Sequence, residues 1–255
     1  MKQIALVTGS RRGIGKGIAL ALAAEGFDVA VNAEVDAPDL HATVAEIEAL
    51  GGRAVPLVAD VADIGGHAAL LEAAETALGP LTTLVNNAGV GALHRGDPLD
   101  VTPASYDRCQ AINTRAIFFL IQAFARRLLA RPLARDLHHS VVTITSANAT
   151  AVALDRAEYA VSKAAASMVT RCFAARLGAA GINVYEIRPG VIATDMTAAA
   201  LETYEARIRE GFTLTPRVGQ PADVGTVAAV LASGSMAYCT GQAIDVDGGL
   251  SVARF

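Results

Sequence analysis

Lysine is nearly absent from this chain of 255 residues: Lys2, Lys16 and Lys163 stand against eighteen arginines. No basic run exceeds Arg126-Arg127 and the formal net charge is −4, so the summed field repels a phosphate backbone and excludes a nucleic-acid partner. Cysteine is as sparse. Cys109, Cys172 and Cys239 are odd in number, far apart and in no CxxC pattern, which excludes a disulfide framework or a zinc site and fits reduced thiols. The five histidines offer no metal-ligand spacing, and His138-His139 reads as an exposed turn. No metal is expected. No apolar run is long enough for a signal peptide or a membrane span, so a cytoplasmic protein is expected, with no membrane partner. Repeats, linkers and low-complexity tracts are missing too, and 53% apolar residues suffice for one large core over residues 1–255.

What is present is alternation. Short β-branched runs at 4–8, 28–32, 54–58, 83–87, 140–145, 183–187 and 243–247 are mostly apolar on both faces, as strands covered by helices on both sides must be. Helical stretches lie between them, among them 14–25, 40–50, 66–78, 103–130 and 157–180, with stops at Gly26, Gly51-Gly52, Gly79-Pro80 and Gly181. Strand and helix in turn mean βαβ units, and right-handed crossovers then give an α/β fold: a single doubly wound parallel sheet of about seven strands with helices on both faces. After Arg188-Pro189-Gly190 about thirty residues carry no strand pattern, and 191–217 is expected to form a mobile lid.

Three motifs sit on this frame. "LVTGSRRGIGKG", residues 6–17, is a strand followed by the first βα turn, where uncapped N–H groups at a helix start seat a pyrophosphate and Gly9, Gly13 and Gly15 keep side chains away. The general GxGxxG spacing is not met, whereas TGxxxGxG is. "TLVNNAG", residues 83–89, ends another apolar strand in two amides. In "AEYAVSKAAA", residues 157–166, Tyr159 and Lys163 are four apart on a helix and share a face. A chain with three lysines rarely sets one there by chance, and lysine's compact charge suits a place beside both a phenol and a sugar hydroxyl better than arginine's wide fork.

With these residues together the chain resembles the short-chain dehydrogenase/reductase family over essentially its whole length. TGSRRGIG at 8–15, NNAG at 86–89, Asn113, Ser146, Tyr159-x-x-x-Lys163, Pro189-Gly190 and VDGG at 246–249 stand in the family's order, and the step from Ser146 to Tyr159 is the family's usual one. The resemblance implies a Rossmann fold and hydride exchange between a nicotinamide dinucleotide and a carbonyl or secondary alcohol. It implies Tyr159 as proton carrier and Ser146 as the group fixing the substrate oxygen. Lys163 would grip the nicotinamide ribose, and Asn113 would hold a proton-relaying water. An ammonium about 4 Å from the phenol would favour the phenolate by ~4 kcal/mol, enough to bring the tyrosine near working pH before desolvation is subtracted. Cofactor contacts are implied at Gly9, Ser10, Arg11, Arg12, Gly13, Ile14 and Gly15, and at Asp60 and Val61 for the adenine. Asn87, Ala88, Gly89, Pro189, Gly190, Val191, Ile192 and Thr194 complete the set with Tyr159 and Lys163.

For the choice of dinucleotide the resemblance points both ways. Arg12 stands where relatives that use NADP commonly carry a basic residue. Ala33 replaces the aspartate usual in relatives that use NAD, and Glu34 stands where arginine is usual for NADP. The balance leans to NADP, with NAD the alternative. TGxRRGIG, ALGGRAVPLVADV and TGQAIDVDGG look most like bacterial 3-oxoacyl-acyl-carrier-protein reductases, for which Arg126, Arg127, Arg131 and Arg135 are candidates to meet an acidic carrier. Asp155, Arg156 and Glu158, set before and beside Tyr159 at the expected mouth, favour instead a polar substrate and a sugar or polyol dehydrogenase. A non-catalytic dinucleotide-binding regulator is the reading from another class, and the tuned phenol speaks against it. Relatives are commonly dimers or tetramers built through the two long helices and the C-terminal strand, so a homo-oligomer is expected.

Overall fold

Each of the seven expected strands forms, and all of them join one parallel sheet in the order β3-β2-β1-β4-β5-β6-β7. The structure is a computed structural model and describes residues 2–254. The strands are β1 (Ile4–Val7), β2 (Asp28–Ala33), β3 (Ala54–Val58), β4 (Thr83–Asn86), β5 (His139–Ile144), β6 (Ile182–Pro189) and β7 (Ala243–Val246). Every residue of β1, β2, β4 and β5 is buried, as the two-sided apolar pattern requires.

Alternate residues of each strand face opposite layers. On one face Val7, Val29 and Val31 pack with Ile18 and Leu22 of α1 (Gly13–Ala24), Leu40 and Ile47 of α2 (Pro38–Ala49), and Val224. On the other, Leu6 and Ala30 meet Leu71 of α3 (His67–Leu78), with helices α4 (Pro103–Gln110), α5 (Ile117–Leu129) and α6 (Ala157–Leu177) completing that layer. Beyond β6 come α7 (Asp195–Ala198), α8 (Leu201–Arg209) and α9 (Pro221–Ser233). The chain winds outward from β1 to β3, returns to β4 beside β1, and winds the other way. That reversal opens a crevice at the carboxyl ends of β1 and β4.

Three features depart from the expectation. The helix expected over 103–130 is broken by a π-helical turn, Ala111–Ala116, centred on the buried side chain of Asn113. Helix α9 was not among the expected helices. It crosses α1 so closely that a Cβ on Gly225 would stand 2.4 Å from the carbonyl oxygen of Gly17, so its stripe is made of small residues that give a weak apolar period. His138-His139 is no exposed turn: His139 begins β5 and is buried, and the His138 ring lies beside Tyr185. Burial lowers the pKa of both imidazoles.

Candidate active site

Strand ends and the turns after them build a cleft of about 450 Å³ along the carboxyl edge of the sheet. Gly9 follows β1, Glu34 follows β2, Asp60 and Val61 follow β3, Asn87, Ala88 and Gly89 follow β4, and Pro189 and Gly190 close β6, all on its wall. Arg11, Arg12, Gly13, Ile14 and Gly15 line it from the first turn, Ile192 and Thr194 from the segment after β6. Arg12 is extended at the N-cap of α1 and supplies no side-chain cap, so the helix presents bare N–H groups to the cleft. Gly13 sits at φ +57°. Gly9 and Gly15 serve packing within the protein: a Cβ on Gly9 would press on Ala88 at 2.9 Å, and one on Gly15 would reach the Gly9 carbonyl at 2.3 Å. Asn87 holds that approach by donating from Nδ2 to the carbonyls of Thr8 and Gly9, both at 2.9 Å.

At the far end of the cleft the wall is Ser146, Tyr159 and Lys163. Ser146 leaves β5 in extended conformation and its Oγ accepts the backbone N–H of Asn148 at 3.1 Å, which fixes the hydroxyl. Tyr159 and Lys163 lie one turn apart on α6, with Nζ 5.8 Å from the centre of the phenol ring. Lys163 is buried and donates to the Ile144 carbonyl at 3.0 Å. Burial brings its pKa down to about 8, against the opposing pull of Cys109 and Glu186. Glu186 is itself buried and accepts from Thr145 Oγ1 (2.6 Å), Ser167 Oγ (2.8 Å) and Arg188 Nε (2.7 Å).

Here desolvation works against the expected acidified phenol. Burial raises the Tyr159 pKa, and the Ser146 hydroxyl and the charges of Arg156 and Arg95 offset this only in part. Lys163 is turned to the Ile144 carbonyl. The raised pKa of Tyr159 favours the neutral phenol.

A second cavity of about 920 Å³ adjoins the cleft and shares Ser146, Tyr159, Arg108, Pro189 and Gly190 with it. It extends under α7 and α8, where Thr203, Tyr204 and Arg207 form its wall. The pair Ser146 and Tyr159 thus stands at the seam between a long cleft with a bare helix start and an open cavity whose wall carries four arginines. Among the described residues no group of three His, Cys, Asp or Glu side chains is arranged to hold a metal ion.

A family profile described as enoyl-(acyl carrier protein) reductase matches residues 9–251. The chain belongs to the short-chain dehydrogenase/reductase family. This dehydrogenase/reductase is an oxidoreductase similar to a 3-oxoacyl-[acyl-carrier-protein] reductase of Brucella melitensis crystallised with NAD: 41% identity, TM-score 0.96, 100% of this chain and 99% of that one covered. It is 33% identical to the Staphylococcus aureus 3-oxoacyl-[acyl-carrier-protein] reductase over 98% of each chain. Identity is again 33% to the 2-dehydro-3-deoxy-D-gluconate 5-dehydrogenase of Dickeya dadantii, covering 97% of this chain and 94% of that one.

Several residues named from the sequence lie off the cleft wall of this dehydrogenase. Ser10 is buried, donating to the Val7 carbonyl at 2.7 Å and accepting from Asn32 N at 3.1 Å, so it shapes the turn from beneath. Ala33 is buried in the core, and Val191 lines the second cavity instead of the cleft. Asn113 is fully buried: its Oδ1 accepts from Val90 N, and its Nδ2 donates to the Val90 carbonyl and to Ser162 Oγ, each at 2.9 Å. Both amide hydrogens are thereby taken by protein.

The charged groups also differ from expectation. Glu158 is not at the mouth: it is buried, accepting from Ser105 Oγ at 2.6 Å. Arg127 and Arg131 pair with Glu75, each at 2.8 Å, and Arg131 also donates to the carbonyl of Leu81, just before β4. α5 runs antiparallel to the strands, so its C-terminal arginines, with Arg126 and Arg135, sit at the amino edge of the sheet, away from the cavity. The guanidiniums that do line the cavity are Arg95, Arg108, Arg156 and Arg207. Of these, only Arg156 was singled out from sequence, because arginines scattered through loop, helix and lid carry no common spacing. Asn32, which lines the cleft and accepts the Gly9 N–H at 3.3 Å, was also missed, although a lone amide in an apolar strand was a legible cue.

Proposed function

We propose that this protein reduces a carbonyl to a secondary alcohol, reversibly, with a nicotinamide dinucleotide in the cleft and the organic substrate in the adjoining cavity. The observation that carries the reading is the hydroxyl pair of Ser146 and Tyr159 at the seam where the two compartments meet. When bound, the dinucleotide supplies or accepts hydride. The neutral phenol of Tyr159 gives its proton to the substrate oxygen in reduction and takes it back in oxidation. Ser146, already oriented by the Asn148 N–H, hydrogen-bonds the same oxygen. Lys163 keeps a positive charge beneath the phenol at neutral pH and has donors left for a ribose hydroxyl after its bond to Ile144. Asn113 acts on the site by tying the segment after β4 to α6. Residues 191–217, with α7 and α8 over the cavity, close on the bound substrate as a lid.

NAD(H) is the dinucleotide this site favours. Arg11 is held between Asp39 and Glu34, at 3.2 Å from each, and Arg12 pairs with Asp195 at 2.6 Å. A 2′-phosphate arriving there would face the Glu34 carboxylate and guanidiniums that are already paired. Relatives have been crystallised with NAD and with NADP, so the choice rests on these charges alone. For the substrate, the two reductase relatives support a 3-oxoacyl thioester. The sugar-acid dehydrogenase relative and the charged cavity wall favour a polar hydroxy acid instead. Phe118 and Met168, exposed on α5 and α6, supply an apolar face that supports a homo-oligomer.

Tyr159→Phe is the deciding experiment. Turnover of every accepted carbonyl is expected to fall at least about a thousandfold while dinucleotide binding persists. Retained turnover removes the proton-carrier role, and loss of dinucleotide binding together with turnover makes the residue a structural one; a wild-type protein that binds the dinucleotide and turns over no carbonyl is the outcome that favours the non-catalytic regulator.

A further inference from the structure

The molecule as a whole carries net charge −4. Its second cavity does not share that sign. Four guanidiniums, of Arg95, Arg108, Arg156 and Arg207, face the cavity, and Asp155 is the one carboxylate on the described wall. Asp155 is already divided between two of them, 3.0 Å from Arg95 and 2.8 Å from Arg156. Arg156 is held further by its Nε–H donated to Asn148 Oδ1 at 3.1 Å, the residue whose N–H orients Ser146.

Arg108 and Arg207 have no carboxylate within ion-pair distance among the described residues. Arg207 stacks on the Phe212 ring with its guanidinium carbon 3.8 Å from the ring centre. A guanidinium stacked face-on keeps its N–H edge free in the ring plane, the geometry that takes a carboxylate bidentately. Arg108 gives one N–H to the Gly91 carbonyl at 3.2 Å and lines both the cavity and the cleft, so its remaining donors lie at the seam beside Tyr159. A wall with so much uncompensated positive charge favours an anionic occupant and disfavours a neutral one of the same shape.

We infer that the substrate of this enzyme is a small carboxylic acid, a keto or hydroxy acid, whose carboxylate is received by Arg207 and Arg108 while its carbonyl meets Ser146 and Tyr159. This rests on the carbonyl-reductase reading and narrows it: the anion is part of the reacting molecule, not of a carrier docked outside.

The test is a matched series on the intact protein: 3-oxobutanoate against its ethyl ester and its N-acetylcysteamine thioester for NADH-driven reduction, and gluconate against glucitol for oxidation with NAD. The acid is expected to exceed its neutral partner at least about tenfold in kcat/KM, and Arg207→Gln and Arg108→Gln are each expected to lower that acid-to-neutral ratio about tenfold. Arg207→Lys is expected to restore part of it, and added salt to erode it. Equal or better use of the ester or thioester, or a variant that lowers acid and neutral turnover alike, overturns the inference. So does preference for a carrier-bound thioester that alone responds to Arg207→Gln.

Binding separates this inference from the reading beneath it. In calorimetry on the NAD-loaded protein, the acid binds more tightly than the ester and loses that advantage in Arg207→Gln. If the acid binds in this way but no member of the series is turned over, the carbonyl-reductase reading falls and the anion site stands. If neutral carbonyls are reduced and the acid neither binds nor reacts better, the anion site falls and the reductase stands.

Discussion

Lys163 is the residue at which burial and charge compete most openly. Its pKa is lowered from 10.5 to about 8, so between those values the unfolded chain holds a proton that the folded one lacks. Stability contributed by this group therefore rises with pH across that window, and below about pH 8 the full cost of burying the ammonium remains, up to about 3 kcal/mol. Lys163→Met is expected to unfold at higher temperature than the parent at pH 7, with the difference shrinking as pH rises through 8 toward 10. A difference independent of pH would show that the buried ammonium is not the cause. Tyr159 follows the same logic in the opposite chemical sense: its raised pKa keeps the proton needed for reduction. Reduction is expected to proceed through neutral pH, and oxidation, which needs the phenolate, to quicken as pH rises. Rate profiles in both directions check this. At the other end of the cleft, Glu34→Arg removes the carboxylate beside Arg11 and adds a donor, so the ratio of kcat/KM for NADPH over NADH should rise at least about tenfold. An unchanged ratio would remove Glu34 from cofactor choice.

Elements hold these residues by a few specific ties. The π-helical turn between α4 and α5 exists where Asn113 turns inward to clamp Val90 and Ser162. Asn113→Ala leaves the half-buried N–H and carbonyl of Val90 without this partner and takes one of two bonds from the buried Ser162 hydroxyl, and should cost about 2 kcal/mol, read as a lower midpoint in denaturant. α7 is joined to the start of α1 by the Arg12–Asp195 pair. Both side chains are exposed, so the pair contributes little to stability, yet it spans the cleft between the first turn and the proposed lid. Asp195→Asn is expected to leave the unfolding midpoint within about 1 kcal/mol of the parent and to speed dinucleotide release, measured by stopped-flow fluorescence. The α1–α9 crossing is less tolerant: Gly225→Ala would push a methyl against the Gly17 carbonyl, and the two helices would have to part.

For the whole molecule, the doubly wound sheet follows from a pattern that each segment states locally. The seven strands lie within two residues of where alternation and turn residues put them. The glycine turn after β1 and the Tyr159–Lys163 pair on the cleft wall were legible because each is contiguous or spaced by one helical turn. What was not legible depends on direction and depth. Arg127 and Arg131 looked suited to the mouth, but the sense of α5 carries them to the opposite edge, onto Glu75. Glu158 neighbours Tyr159 in sequence and yet turns inward to Ser105, because adjacent helical residues point about 100° apart. The exposed apolar residues of α5 and α6 belong to this scale too: sedimentation is expected to show a dimer or tetramer, and a monomer at micromolar concentration would remove that expectation.

By itself the sequence determined the alternation of strand and helix, hence the parallel sheet, and the short-range motifs that mark its carboxyl edge, because periodicity and helical spacing are local properties of a chain. Only the tertiary structure decided the charge of the second cavity and how deeply its tyrosine is buried. Guanidiniums from a loop, α4, the approach to α6 and α8 acquire a common field when folding brings them to one wall. A phenol's acidity depends on how deeply it is buried and on where its neighbours point, which no spacing records.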